Sequence, residues 1–527
     1  MKKLIPVFAF AGLAVVIVAL LAITPPASAT TRYIAQSAGS FSGGTACKGQ
    51  SAITPATFNA LRNIPGDVNY ICGTITGDAG AQLLRPNGDG AAGHPVTIKF
   101  DTGAILQAPY FAPSPNGGCG GAICLYGLSY YTVDGQNTGT IEDTANGSGL
   151  AYNQKTEAIE GYRCNHCTVE NLTIANMYVH SSPSDMTADA SAQRCISVSG
   201  SDWLIQHNVM HDSGWCLYEG YSNGDGNVVI AGNTIYNTDH GWMLATQVSG
   251  GSSGPFLFHN NTVYGYANWD TPNDTYHHDG IHCFTSETGG SAAHITLLAI
   301  YNNEFKGPIG RNATAHVFIE GGSGPGSTPC ADATSGIAIF NNVAEGEQPD
   351  PDGLFGLFSG NYTAEHGGGV YNNTLISTAG TEVGVCFSAN SDVSGMTFEN
   401  NAVSGCNQVI ETHGIPFTPD YNQYANGGSN AFVCHGNFYS PSQFFSWQSC
   451  IKGDRHSDYQ SSLKLSSSNQ LQPGSPLINK GANLTSLCTG SLASLCSDRF
   501  GNPRSASGAW TVGADSMSSS GPRPPHS

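Results

Sequence analysis

Charge is scarce in this chain of 527 residues: 11% are Asp, Glu, Lys or Arg, and Lys and Arg together number 19. With a net charge of -19 it lacks the basic footprint that nucleic-acid phosphates need, which excludes that class of partner and disfavours a polyanionic substrate. Long apolar runs are missing after the first two dozen residues, so no second membrane span is expected. Long helical periods are missing as well, which excludes a helix bundle. Yet 39% of the residues are hydrophobic, so the chain is no disordered acidic polymer and has enough apolar surface for a large core.

What is present begins with a leader. Met1-Lys2-Lys3, an apolar run from Leu4 to Ile23, and Pro25-Pro26-Ala27-Ser28-Ala29 have the layout of a signal peptide with a small-residue cleavage site, placed after Ala29. All 16 cysteines follow that site, an even number in an exported chain, which predicts disulfides formed in an oxidising compartment. Cys119/Cys124, Cys386/Cys406 and Cys488/Cys496 are plausible close pairs. Cys164 and Cys167, with His166 between them, lack a second ligand pair at zinc-site spacing. Thr54-Pro55 opens a short helix whose place is over one end of a sheet.

From about residue 168 the chain repeats. Asn208, Asn233, Asn261, Asn303, Asn342, Asn373 and Asn401 each precede a short apolar strand, at spacings of 25, 28, 42, 39, 31 and 28 residues. Repeats of that length signal a solenoid, with loop insertions in the longer intervals, and two or three short strands per repeat suit a parallel β-helix. Asparagine side chains can hydrogen-bond from coil to coil, which gives the recurring residue a structural role.

Val169-Glu170-Asn171-Leu172-Thr173-Ile174 and Glu399-Asn400-Asn401-Ala402-Val403 resemble coils of the secreted right-handed parallel β-helix, or pectin-lyase-like, superfamily. Gly474-Ser475-Pro476-Leu477-Ile478-Asn479-Lys480-Gly481, Asp498-Arg499-Phe500-Gly501-Asn502-Pro503-Arg504 and Val512-Gly513-Ala514-Asp515 are similar to the closing segment of bacterial members. The resemblance spans roughly Tyr33 to Asp515. The expected fold is therefore an all-β, right-handed parallel β-helix with an N-terminal cap and disulfide-bonded loops. Its expected organisation is a signal peptide over 1–29, a cap and first coils over 30–167, central coils over 168–430, C-terminal coils and closing segment over 431–515, and a disordered tail over 516–527.

A second repeat carries the chemistry. Asp212-Ser213-Gly214-Trp215, Asp239-His240-Gly241-Trp242 and His278-Asp279-Gly280-Ile281 align without gaps. Equivalent positions of stacked coils lie about 4.8 Å apart, so one column is expected to hold Asp212, Asp239 and His278, and the next Arg194, Ser213, His240 and Asp279. Strand alternation points Trp215, Trp242 and Ile281 inward, and His282, Phe284, Tyr218 and Glu320 outward. Trp269 and Tyr276, in the insertion before the histidines, are candidate sugar platforms.

Asp239, Asp279, His240, His278, Asp212, His282 and Arg194 are thus the candidate catalytic residues, and Trp269, Tyr276, Tyr218, Phe284 and Glu320 the candidate substrate-binding ones. Crowded carboxylates raise one another's proton affinity, and glycoside hydrolysis needs one carboxyl as acid and another as base or nucleophile. Asp-x-Gly is also ordinary turn chemistry, the reading that fits Asp352-Gly353. The motif Asn237-Thr238-Asp239 resembles the Asn-Thr-Asp of polygalacturonase-like hydrolases, which implies a catalytic carboxylate at Asp239; the Asp-Asp, Gly-His-Gly and Arg-Ile-Lys signatures are absent. The first expectation is an extracellular polysaccharide hydrolase. A lyase acting on a uronate-containing glycan would need Arg194, or Ca²⁺ on Glu219, Asp239, Asp279 or Glu320, to neutralise the substrate carboxylate. A transition metal on His277, His278, Asp279 and His282 is chemically allowed. A non-catalytic glycan-binding or envelope protein is the third reading.

Overall fold

The computed structural model describes residues 28–113, 118–180, 193–221, 224–246, 252–270, 277–285, 294–310, 313–320, 330, 336–346, 353–358, 368–378, 384–389, 396–413 and 417–516. Residues 1–27 of the expected signal peptide lie outside them, as do all but Ser516 of the expected tail. Among the described residues no helix is long and apolar enough to cross a membrane.

Parallel pairing runs from Thr31–Ile34 to Asp458–Gln460, strand to equivalent strand one coil away, with short antiparallel strand pairs only at Gly39–Ser40 with Ser51–Ala52 and at Phe432–Cys434 with Asn437–Tyr439 among the described residues. The chain is a right-handed parallel β-helix. The strands that matter for the site are β1 (Thr156–Gly161), β2 (Gln193–Val198), β3 (Val209–Tyr221), β4 (Thr234–Thr246), β5 (Asp279–Thr285) and β6 (Val317–Glu320). They stack in that order. Their inward ladder reads Ile196, Leu217, Trp242, Ile281 and Val317, all buried. Each such side chain contributes roughly 1.5–3 kcal/mol on leaving water.

The register of this stack is set by asparagines. The backbone N–H of Asn208 donates to Oδ1 of Asn233 at 2.9 Å, and the same bond repeats from Asn233 to Asn261, Asn261 to Asn303, Asn303 to Asn342, Asn342 to Asn373 and Asn373 to Asn401, at 2.9–3.0 Å. Asn401 continues to Asn422, a rung whose interval of 21 residues is shorter than the others. Each Nδ2 also donates to a main-chain carbonyl one coil back, as Asn303 does to Phe258. All of these amides are buried, so their polar atoms must be bonded within the protein.

The residue before each rung turns the chain through the left-handed region: His207, Asn260, Asn302, Asn341, Asn372, Asn400 and Tyr421 have φ of 51–61°. Asparagine tolerates that conformation better than most residues, which explains the recurring Asn-Asn pairs. Their first members also hold the closing segment: Nδ2 of Asn341, Asn372 and Asn400 donate to the carbonyls of Ser497, Thr511 and Ala482. Arg504 Nη2 returns a bond to Asn341 Oδ1 at 2.8 Å. The C-terminal strip is thus fastened along the coils.

Both ends are covered. Helix α1 (Pro55–Ala60), capped by Thr54, buries Phe58 at the N-terminal end, and α2 (Phe444–Ile451) sets Phe444 and Trp447 against Phe432 at the other. All 16 cysteines form eight disulfides, among them Cys119–Cys124, Cys386–Cys406, Cys488–Cys496 and Cys164–Cys167. The last of these takes both thiols that a zinc site there would need.

Two tests follow from the ladder. Asn303→Ala removes a buried donor and acceptor at its centre and leaves neighbouring groups unsatisfied, so denaturant unfolding should show a loss of about 1–3 kcal/mol. At the ladder's end Asp454 is buried, and desolvation raises its pKa to about 7 despite hydrogen bonds from Ser457 and Asn422. Its folded pKa exceeds the unfolded one, so its contribution is fully present below pH 4 and is lost as pH rises towards 7. Asp454→Asn should therefore gain thermal stability relative to the parent between pH 5 and pH 8; a pH-independent difference would contradict this.

Candidate functional site

The cluster forms where β4 and β5 bend. Gly241 and Gly280 sit at the bend on neighbouring coils, and a Cβ on Gly241 would lie 2.5 Å from the Gly280 carbonyl oxygen. A Cβ on Gly280 would lie 2.5 Å from that of His316. Only glycine permits this approach without backbone movement. Because the strands bend there, Asp279 and His282, three residues apart, reach the same space.

Asp279 is the centre. It is fully buried, and its Oδ1 accepts the Ala315 backbone N–H at 2.9 Å. Around Oδ2 stand three imidazole nitrogens: His240 Nε2 at 3.4 Å, His277 Nε2 at 3.4 Å and His282 Nδ1 at 3.6 Å. The His277 and His282 nitrogens are themselves 3.4 Å apart. On the far side of His240, Nδ1 meets Asp239 Oδ2 at 2.6 Å, which fixes the ring. Among the described residues, Asp279 Oδ2 and His240 Nε2 are buried without a hydrogen bond of good geometry.

Electrostatics follow from this crowding. Burial raises the Asp279 pKa, but the neighbouring His240 imidazole and the charges of His277 and His282 outweigh it, leaving the carboxyl below its usual range. Burial lowers the His240 pKa, and Asp239 and Asp279 together reverse that, lifting it to about 9.

Around the cluster lie two outward columns fixed by the pairing. One reads Glu157 and Arg194 and then, when the Ile196–Leu217 register is carried back two residues, Trp215, His240 and Asp279; the other reads Glu160, Ser197, Tyr218, Met243, His282 and Phe318. Trp215 is only partly buried, stacks on Tyr218 and meets His240 and Phe284 edge-on. Phe318 packs on His282 with ring centroids 4.6 Å apart. The Arg194 guanidinium lies 3.9 Å from the Tyr218 ring centroid, and Nη1 donates to Ser197 Oγ. Burial and its neighbour Glu160 push the Glu157 carboxyl well above its usual range.

Several expectations change. His240 does lie beside Asp279, and Arg194 does share their column. Ser213, however, pairs with Thr238, and Trp215 takes the place beside His240. The first pair of coils follows the interval of 25 residues between Asn208 and Asn233, whereas the motif alignment assumed 27. Asp212 consequently sits outside the cluster, bonded to His211 and Asn237, in a left-handed turn. Trp215 is outward rather than core.

His278 also leaves the cluster. It is fully buried and turned towards the preceding insertion, with Nε2 2.9 Å from the Ile309 carbonyl oxygen and 3.2 Å from Asp270. His282 faces the cluster but is buried, at 5% exposure. Trp269 is buried at 4%, stacked on His180, so it packs the insertion and offers no open ring. Glu219 is fully buried, its carboxyl pushed well above the usual range by desolvation. Tyr276 and the side chain of Glu320 lie outside the described residues. Sequence reasoning missed Glu157, Glu160, Trp215 and Phe318 as neighbours, and His277 carries more of the cluster than its flanking position suggested.

Two groups among the described residues bring three or more potential metal ligands together. In the first, His240, His277, Asp279 and His282 place one donor atom each within 4.8 Å of one another; the second, Cys434, His435 and Cys450, has its sulfurs in a disulfide.

No family model and no curated protein matches this chain. Among solved structures it is similar to a lacto-N-biosidase of Eubacterium ramulus, at 11% identity over 82% of this chain and 68% of that one, with a TM-score of 0.43. It is also similar to XylC in complex with xylose, at 10% identity over 93% and 99% with a TM-score of 0.49, and to pectate lyase Pel9A, at 12% over 93% and 97% with a TM-score of 0.29. The coil-to-coil pairing itself defines the architecture. It is a parallel β-helix.

The bend makes a direct test possible. Gly280→Ala should overpack the approach to His316 and cost about 1–3 kcal/mol in denaturant unfolding, while an alanine at Gly353, whose Cβ would meet nothing closer than 3.6 Å and whose φ is not positive, should not overpack. Equal losses at the two positions would contradict the close-approach argument.

Proposed function

We propose that this chain is an exported carbohydrate-active protein that cleaves a polysaccharide by glycoside hydrolysis, with the reaction centred on Asp239, His240 and Asp279. The observation that carries the reading is the juxtaposition, on adjoining coils, of this polar cluster with the aromatic rings of Trp215 and Phe284. Aromatic faces pack against the apolar faces of sugars, and a polymer lying along the helix axis would meet a new coil about every 4.8 Å. His277, with 42% of its side chain exposed, is the member of the cluster most open to such a ligand.

A simple division of labour between two carboxylates suits the geometry less well. Asp279 is enclosed by imidazoles, and Asp239 is bonded to His240, so both act through the rings they hold. Export and an oxidising destination are supported by the eight disulfides. A second reading, elimination from a uronate-containing glycan, is favoured by Arg194, the cation on the same outward face.

Incubating the purified mature chain with a panel of neutral and uronate glycans separates these readings. New reducing ends without unsaturated product mark hydrolysis; absorbance from an unsaturated product marks a lyase. On any substrate that is cleaved, Asp279→Asn should lower the rate by about 100-fold or more. Full activity in that variant would remove the cluster from the reaction, and binding without cleavage of any glycan would overturn the enzymatic reading.

A further inference from the structure

We infer that His240 Nε2, His277 Nε2, His282 Nδ1 and Asp279 Oδ2 form a binding site for one divalent transition-metal ion of the zinc class. Four donors at bond lengths of ~2.0–2.1 Å around a tetrahedral ion lie ~3.3–3.4 Å from one another. Four of the six separations, 3.4 Å, 3.4 Å and 3.6 Å from Asp279 Oδ2 and 3.4 Å between His277 and His282, lie at or close to that edge length. They are longer than strong charged hydrogen bonds, which run at about 2.7–2.9 Å. All four donor atoms lie within 4.8 Å of one another.

Unsatisfied buried atoms point the same way. Asp279 Oδ2 and His240 Nε2 are both buried among the described residues without a hydrogen bond, although each buried polar atom of this kind ordinarily has one. The surroundings match a metal centre too. Asp239 grips His240 Nδ1 at 2.6 Å, presenting Nε2 towards the other three donors, as carboxylates do behind metal-bound histidines. Asp279 Oδ1 is fixed by the Ala315 N–H, leaving Oδ2 as the donor. Trp215 and Phe318 supply apolar walls, and exposed His277 gives an entry path.

The donor set selects the ion. Three imidazoles and one carboxylate suit Zn²⁺, Co²⁺, Ni²⁺ or Cu²⁺, whereas Ca²⁺ takes six to eight oxygens. Among the described residues Glu219 does not join Asp239 and Asp279 in any group of potential ligands, so a carboxylate cage is not assembled. The proposal concerns binding and stands independently of whether a glycan is cleaved, although a bound ion would add a Lewis acid to the same site.

The test uses the tag-free mature chain, stripped with a chelator and dialysed. Calorimetric titration with Zn²⁺ should give one equivalent per chain, and Co²⁺ should develop the visible bands of a four-coordinate nitrogen-and-oxygen site. Ca²⁺ and Mg²⁺ should not compete. His277→Ala, a change at a half-exposed residue that the fold tolerates, should weaken zinc binding about 100-fold, as should His282→Ala; Asp239→Asn should weaken it ~10–100-fold, and His413→Ala not at all. Circular dichroism confirms that each variant is folded. Wild-type affinity in His277→Ala, or calcium binding as tight as zinc, would overturn the site; unchanged affinity in Asp239→Asn would overturn the orienting role of Asp239.

Discussion

The buried asparagine ladder is the constraint on which the molecule depends. A solenoid has no long-range topology to hold one coil in register with the next, and a slip of one residue would turn every inward side chain outward. Here each coil is pinned at one corner by an amide that bonds to the coils on both sides. At roughly 1 kcal/mol net per bond the rungs are individually modest, but a missing partner inside the core costs more than the bond contributes. Specificity of register is therefore the ladder's larger effect. The outward asparagines extend the same economy, using the left-handed turn before each rung to fasten the closing segment.

Register in turn builds the site. His240 and Asp279 are 39 positions apart in the chain and meet because β4 and β5 pair at that offset. Glycines at the bend let the two coils stack closely, so residues on either side of Gly280 share one pocket of space. A buried carboxylate without compensation would cost several kcal/mol, and the imidazoles around Asp279 offset that cost while restricting its chemistry. The same enclosure that keeps Asp279 ionised keeps it from a substrate. Any reaction on a glycan is thus expected to pass through the imidazole edge, beside the rings of Trp215 and Phe284.

The fold was legible in the sequence because the ladder residue is the same in every coil and the turn before it favours asparagine again. The adjacency of His240 and Asp279 was legible for the same reason, through Gly241 and Gly280. Asp212 was misplaced because a four-residue motif match competed with the asparagine interval, and backbone pairing follows the interval. Trp215 was misread because alternation holds only along a straight strand, and β3 does not keep it. His278 and Trp269 turn into the insertion they belong to, a tertiary preference that no local pattern carries. Asn422 was overlooked since its coil is the shortest in the series. The carboxyls of Glu157 and Glu160 stand in no repeated motif, so only the columns reveal them beside Arg194.

Ladder-set register brings four donor atoms from two coils within 4.8 Å of one another. A crystal of the mature chain grown with Zn²⁺, measured on both sides of the zinc absorption edge, tests it most directly. One anomalous peak per chain is expected at bonding distance, ~2.0–2.2 Å, from His240 Nε2, His277 Nε2, His282 Nδ1 and Asp279 Oδ2. A peak elsewhere on the chain with none at this point, or a structure in which β4 and β5 pair so that His240 and Asp279 do not meet, would contradict it.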